Sequence, residues 1–143
     1  MAQISLLLLR ISMGGLMLFW GIDKLANVQH SVRVAETFYF GVGTNTALLA
    51  AFGVAQSGLG ALIVIGLLRR YAYPALTLIC ATTAFGVWKS IVDPWGWYLE
   101  GTNVLFYPSF IILAAALVLW GMMDEDINSL PSKGGSFCDR IPA

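Results

Sequence analysis

Four long apolar stretches dominate the hydrophobic pattern of this chain. They cover about residues 4–22, 46–68, 71–88 and 104–123. A bilayer core about 30 Å thick needs about 20 helical residues at about 1.5 Å each, and all four stretches meet or nearly meet that length. The helices of a soluble bundle would carry a polar face at helical period, whereas these stretches are apolar all round. The pattern predicts an all-α integral membrane protein, a four-helix bundle with four spans.

The segments outside the spans carry their own signals. Residues 30–40 place Val32, Ala35 and Phe38 at helical spacing, which predicts a short helix on the membrane interface. The aromatic loop 93–101 falls on the same side, so the two loops are expected to roof one end of the bundle. The acidic residues 124–126 stop the fourth stretch and complete a membrane domain of residues 1–127. Residues 128–143 are interpreted as a flexible C-terminal tail.

Composition narrows the class further. The chain is 58% hydrophobic and 11% charged, with no net charge, and its mean hydropathy is +0.77. These values argue against a soluble or disordered domain, and nucleic-acid binding would need a basic surface. His30 is the single histidine, and Cys80 and Cys138 form no CxxC pair, so no metal site is expected. A disulfide between these two cysteines is not expected either.

The distribution of basic residues indicates an orientation. The first stretch has no basic residue before Ile4 and no A-x-A-like site after Gly21, so it is interpreted as a retained span. Five basic residues lie on the side of the termini if Arg10 reaches outward, and three lie on the other side. The first set is Arg10, Arg69, Arg70, Lys133 and Arg140; the second is Lys24, Arg33 and Lys89. This bias favours cytoplasmic termini.

Polar and small residues form stripes on three of the predicted helices. At 100° per residue, these are Arg10, Gly14, Met17, Gly21 and Lys24 on the first; Gly53, Gln56 and Gly60 on the second; Asn103, Tyr107, Phe110, Ala114 and Gly121 on the fourth. Small residues allow helices to approach closely, and ionisable groups within spans usually face the bundle interior. We expect the three stripes to pack together.

The functional hypothesis is a polar or quinone-sized cavity around Arg10 and Gln56. Its candidate ligand-binding residues are Arg10, Gly14, Met17, Gln56, Asn103 and Tyr107. Structural alternatives stay open: Arg10 extends to the nearer head groups, Gln56 makes an interhelical hydrogen bond, and the glycines serve packing.

Loop residues form a second candidate set. Lys24, Lys89, Trp95 and Trp97 are candidates for contact with a protein partner, and the alternative is that they anchor the chain at the membrane interface. A proton relay is disfavoured because Asp, Glu and His are missing from the interior of the spans. The sequence contains no motif for a bound electron carrier, so electrons would come from a partner's cofactor.

The N-terminal segment resembles the opening of the DoxX family. That pattern is roughly Leu-Leu-Arg, a glycine four residues after the arginine, a phenylalanine, and then G-x-x-K-L. Arg10, Gly14, Phe19, Gly21 and Lys24 match it. The second stretch and the four-span layout of residues 4–123 are also similar to the family. Gln56 stands where many relatives have a glutamate, and the acidic ending differs from a more usual glycine-rich one.

The resemblance implies a small bacterial or archaeal inner-membrane protein, and some relatives are subunits of a thiosulfate:quinone oxidoreductase. The leading hypothesis is a membrane subunit or anchor of a redox complex that binds a larger protein partner, with quinone as its candidate cofactor. The alternatives are a stand-alone quinone-dependent oxidoreductase of a small sulfur anion, and a small transporter or channel. A homo-oligomer is also open.

Overall fold

The computed structural model describes residues 1–39, 41 and 44–126, and the regular structure of these residues is helical throughout. The helices are α1 (Ala2–Ala26), α2 (Val28–Phe38), α3 (Thr46–Ile65), α4 (Arg69–Gly86), α5 (Trp88–Val92) and α6 (Pro108–Gly121), with 3₁₀ turns at Val104–Phe106 and Met123–Glu125. Three segments of the described chain are long and apolar enough to cross a membrane: Ala2–Ala26, Thr46–Ile65 and Val104–Gly121. These segments support an integral membrane protein.

The third apolar stretch also forms a helix, α4, which is not among the three apolar segments. Its first turn carries Arg69 and Arg70, and two guanidinium groups lower the mean hydropathy of an 18-residue helix. The predicted fourth crossing therefore stays a prediction. A helix also fills the first long loop, as α2, and its place at the membrane interface likewise stays a prediction. The predicted tail, residues 128–143, lies outside the described residues.

Local backbone geometry ends α3 before the end of its apolar stretch. The apolar stretch continues to residue 68, but α3 ends at Ile65 because Gly66 adopts a left-handed conformation with φ 79°. The Gly66 and Leu67 amides both donate to the Leu62 carbonyl, which is the glycine-terminated ending common in helices. The connection to α4 is only three residues long, so α3 and α4 are neighbours.

Helices α1 and α3 pack through facing glycines. A Cβ built at Gly14 would lie 2.9 Å from the Gly60 carbonyl oxygen, and one at Gly60 would lie 2.7 Å from the Gly14 oxygen. The same holds about two turns along both helices, where a Cβ at Gly53 would lie 2.9 Å from the Gly21 oxygen. Two of the predicted stripes therefore do meet, backbone against backbone, as small residues permit.

The stripe predicted on the fourth helix is wrong. Its five members, Asn103, Tyr107, Phe110, Ala114 and Gly121, are all exposed, and α6 instead buries Ala116 and Leu119, chiefly against α4. Two physical reasons explain the error. The 3₁₀ turn before Pro108 breaks the 100° progression, and α6 is apolar on every side, so its sequence carries no signal for the buried face.

Alanine at Gly21 tests the glycine interface. Its Cβ would lie 2.6 Å from the Ser57 amide nitrogen and 2.7 Å from the Gly53 oxygen, so α1 and α3 must separate. We expect Gly21→Ala to lower the free energy of unfolding by about 1–3 kcal/mol, the usual cost of overpacking, measured by thermal or denaturant unfolding in detergent. Gly15→Ala is the matched control, since nothing lies within 4 Å of its Cβ. Equal stability of the two variants would contradict the interface.

Candidate functional site

A large cavity lies beneath α2, between the end of α1, the first half of α3 and the second half of α4. Its volume is about 870 Å³, within the range of small-molecule sites. Apolar side chains form most of the wall: Trp20, Val34, Ala35, Phe38, Leu48, Leu49, Phe52, Leu78, Ile79, Val87 and Phe106. The polar lining is sparse, so the cavity suits an amphiphilic ligand.

Helix α2 is held over the cavity by two aromatic contacts. The Phe38 ring meets the Phe106 ring edge to face, with centroids 5.0 Å apart. Tyr39 lies against Gly86, where a Cβ would come within 3.1 Å of the tyrosine ring. The buried face of α2 consists of Ser31 and Ala35. The predicted helix in the first loop thus forms one wall of the site.

Gln56 supplies a polar group to the apolar wall. Its side chain is 1% exposed, and its amide nitrogen donates to the Met17 sulfur at 3.5 Å. The carbonyl oxygen Oε1 has no hydrogen-bond partner among the described residues. A buried acceptor without a donor costs about 1–3 kcal/mol, so this oxygen marks a place where a ligand would be stabilised.

Charged or ionisable side chains also line the cavity, namely Asp23, Lys24, His30 and Arg33. The Lys24 ammonium donates to the Trp20 carbonyl at 3.2 Å and lies 5.4 Å from the centre of the Phe52 ring. Among them, Asp23 Oδ2 lies 2.8 Å from His30 Nδ1. The cavity therefore combines a group of charged side chains with a single buried amide in its wall.

Arg10 does not line this cavity, although the sequence hypothesis placed it beside Gln56. It is 3% exposed, and its Nη1 donates to both carboxylate oxygens of Asp126, at 3.0 and 2.8 Å. The Tyr73 hydroxyl donates to the same carboxylate at 2.9 Å, and Arg69 donates to the Met123 and Asp126 carbonyls at 2.7 and 2.9 Å. A buried polar cluster therefore joins α1, α4 and the segment after α6.

Sequence reasoning missed Asp126 and Tyr73 as partners of Arg10. A signal was available, because the predicted topology places the first half of α1 and the end of α6 on the same side, where residues 124–126 are acidic. A buried guanidinium is stable only with a carboxylate partner. The outward-reaching alternative for Arg10 does not match this geometry.

The other candidate residues are dispersed. Gly14 packs against α3, whereas Met17 contacts Gln56 and is fully buried. Asn103 is exposed, and its side chain accepts from the Leu105 amide at 2.9 Å, which caps the 3₁₀ turn. Tyr107 is exposed at the start of α6. Neither Asn103 nor Tyr107 lines the cavity.

Of the loop candidates, Lys24 lines the cavity, whereas Lys89, Trp95 and Trp97 lie outside it. Lys89 is exposed on α5, and the rings of Trp95 and Trp97 stack at 5.5 Å with 69% and 75% of each side chain exposed. This loop is organised by Asp93, whose carboxylate accepts from the Trp97, Tyr98 and Leu99 amides at 3.1, 2.6 and 2.9 Å. The aromatic side chains are thus presented on an ordered backbone.

Comparison with known proteins now places the chain. The family model of DoxX matches residues 5–88, more than half of the sequence. The chain belongs to the DoxX family. Comparisons with curated proteins and with solved structures find no match.

The family match covers part of the described helices and leaves the rest outside. Residues 5–88 contain nearly all of α1 and the whole of α2, α3 and α4, so they include Arg10, Lys24, Gln56 and most of the cavity wall. Asp126, the carboxylate that pairs with Arg10, lies outside the matched segment, as does α6. The family match therefore covers most of the cavity wall and Arg10, but not Asp126, the partner of Arg10.

Removing one member of the buried ion pair tests its role in this DoxX protein. We expect Arg10→Met or Asp126→Ala to lower the free energy of unfolding by about 3–5 kcal/mol, because the remaining charge stays buried without its partner. The double variant should recover part of this loss. Thermal unfolding in detergent is the measurement. Arg70→Met is the control, since Arg70 is exposed and adjacent in sequence to the cluster; a loss of equal size there would contradict the assignment.

The loop 93–99 should respond to acid. The Tyr98 amide, followed by the Leu99 and Trp97 amides, holds the pKa of Asp93 below its ordinary value. A lowered folded-state pKa means that this stabilisation is present above the unfolded pKa of about 4 and is lost as the pH falls through the folded value. We expect the loop to become protease-sensitive on acidification, and Asp93→Asn to be sensitive already at pH 7. Glu100→Gln, an exposed control in the same loop, should behave like the parent protein.

Proposed function

We propose that this DoxX protein is a membrane subunit or anchor of a redox complex and that its cavity binds a lipid-soluble, quinone-type carrier. The single observation that carries the proposal is the roughly 870 Å³ apolar cavity with the buried Gln56 amide in its wall. A four-span topology in a bacterial inner membrane with cytoplasmic termini completes the proposal. It is based on the hydrophobic pattern and on a charge bias of four basic residues against three, since Arg10 pairs with Asp126 and does not count.

The cavity matches a quinone-type carrier in volume and in its largely apolar lining. A quinone combines a planar ring carrying two oxygens with an apolar tail, and the wall combines aromatic and aliphatic side chains with isolated polar atoms. Gln56 is ten residues beyond the start of α3, about 15 Å along the helix axis. That depth is near the middle of a bilayer about 30 Å thick, where quinone carriers dissolve.

The redox partner is inferred from the exposed aromatic loop. Electrons would enter from a cofactor on another protein, since the sequence contains no electron-carrier motif. Trp95 and Trp97 are stacked, largely exposed and held on a backbone that Asp93 orders. Rigid aromatic side chains are favoured anchors at protein interfaces, and Lys89 is exposed on the neighbouring α5. These residues support docking of a partner beside the bilayer.

Filling the cavity tests quinone binding. Ala35 is 5% exposed on the cavity side of α2, so Ala35→Phe places a ring where the ligand would lie. We expect binding of a decyl-substituted quinone, followed through quenching of tryptophan fluorescence in nanodiscs, to weaken at least tenfold. Ala51→Phe is the control, because Ala51 is exposed on α3 and does not line the cavity. Equal binding by both variants and the parent would contradict the proposal.

The anchor role is checked in the native membrane. We expect purification of the parent protein in mild detergent to retain a partner in fixed stoichiometry, and Trp95→Ser with Trp97→Ser to release it while leaving quinone binding intact. Recovery of the chain alone, with unchanged cellular function after deletion of its redox partners, would argue against an anchor.

A further inference from the structure

Three threonine hydroxyls that line the cavity donate their protons to backbone carbonyls. Thr82 donates to the Leu78 carbonyl at 2.8 Å, and Thr83 donates to the Ile79 carbonyl at 2.9 Å. Thr37 does the same on α2, donating to the Arg33 carbonyl at 2.7 Å. A hydroxyl has one proton and two lone pairs. These three side chains therefore offer only acceptor oxygens to a ligand.

Gln56 also offers an acceptor, and not a donor, to a ligand in the cavity. Its amide nitrogen donates to the Met17 sulfur, and a thioether sulfur is an acceptor only, so the nitrogen must face Met17. This contact assigns the other terminus, Oε1, as the carbonyl oxygen, which lacks a donor among the described residues. The terminal torsion of glutamine is broad and soft, so a small rotation brings Oε1 to a ligand in the cavity that Gln56 lines.

Donor groups also line the cavity. The Lys24 ammonium and the Arg33 guanidinium are donors only, and so is the Trp20 indole, three residues after Met17, the contact of Gln56. Ser31, Tyr39 and Ser109 have hydroxyls that can donate or accept. Gln56 Oε1 and the α4 threonine oxygens are acceptors, and a donor on the ligand complements them.

We propose that the cavity selects a ligand whose head group carries hydroxyl donors, and therefore binds the reduced quinol in preference to the quinone. This inference rests on the proposed function, because it specifies which redox form the same cavity takes. A quinol hydroxyl donates to Gln56 Oε1 and satisfies that buried acceptor. A quinone carbonyl at the same place would set two acceptors against each other and leave both unpaired.

The experiment compares two ligands that differ in their donors. Binding of decyl hydroquinone and of decyl quinone to the full chain in nanodiscs is measured under anaerobic conditions, and a redox-inert pair, a decylphenol and its methyl ether, repeats the comparison. One satisfied hydrogen bond is worth about 1 kcal/mol, so we expect about fivefold tighter binding of each hydroxyl-bearing member. Gln56→Leu should remove the preference.

Two further variants separate selectivity from folding. Thr83→Val removes one cavity acceptor with little change of shape, and we expect it to reduce the preference even where Gln56→Leu fails to fold. Thr77→Val is the control, because the Thr77 hydroxyl is buried, donates to the Tyr73 carbonyl and lies outside the cavity. Equal affinity for both redox forms in the parent, or an unchanged preference in Gln56→Leu and Thr83→Val, overturns this inference alone. Failure of all four ligands to bind the parent overturns the proposed function with it.

Discussion

The close approach of α1 and α3 through their glycines is the constraint on which the rest of the structure depends. Gly14 meets Gly60, and Gly21 meets Gly53, at distances that admit no side chain. This contact sets the rotation of both helices. It turns Met17 and Gln56 toward each other between the two glycine pairs and leaves the charged residues of α1 at either end of the interface.

The buried polar groups of the described helices fall into two separate environments. Around Arg10, charged and polar groups bond to one another: the Asp126 carboxylate accepts from the guanidinium and from the Tyr73 hydroxyl, while Arg69 donates to neighbouring carbonyls. Around Gln56, an acceptor is left over in an apolar wall. Polar groups from several helices that bond to one another stabilise and order a fold, whereas a buried acceptor in the wall of a cavity favours a ligand. This difference locates the candidate site near Gln56 and assigns the Arg10 cluster to structure.

Particular residues show how far sequence reasoning reaches. The stripes on α1 and α3 were predicted correctly because polar and small residues interrupt those helices at a regular spacing, and Gly53, Gln56 and Gly60 are indeed buried. The stripe on α6 failed because that helix is apolar on all sides, which leaves its rotation to contacts with α4. The prediction that Arg10 and Gln56 line one cavity was wrong. A stripe shows which face of a helix is buried, but not which residues of a neighbouring helix lie at the same height.

The sequence by itself determined that this protein lies in a membrane, that it is helical, and which family it belongs to. It also determined which faces of α1 and α3 meet. These results follow from hydropathy, periodicity and the positions of glycine. Only the tertiary structure decided that Asp126 returns to Arg10, that α2 covers a cavity, and that the cavity wall offers acceptors. Each of these depends on contacts between residues far apart in the chain, and the free energy of such contacts depends on geometry that no local pattern encodes.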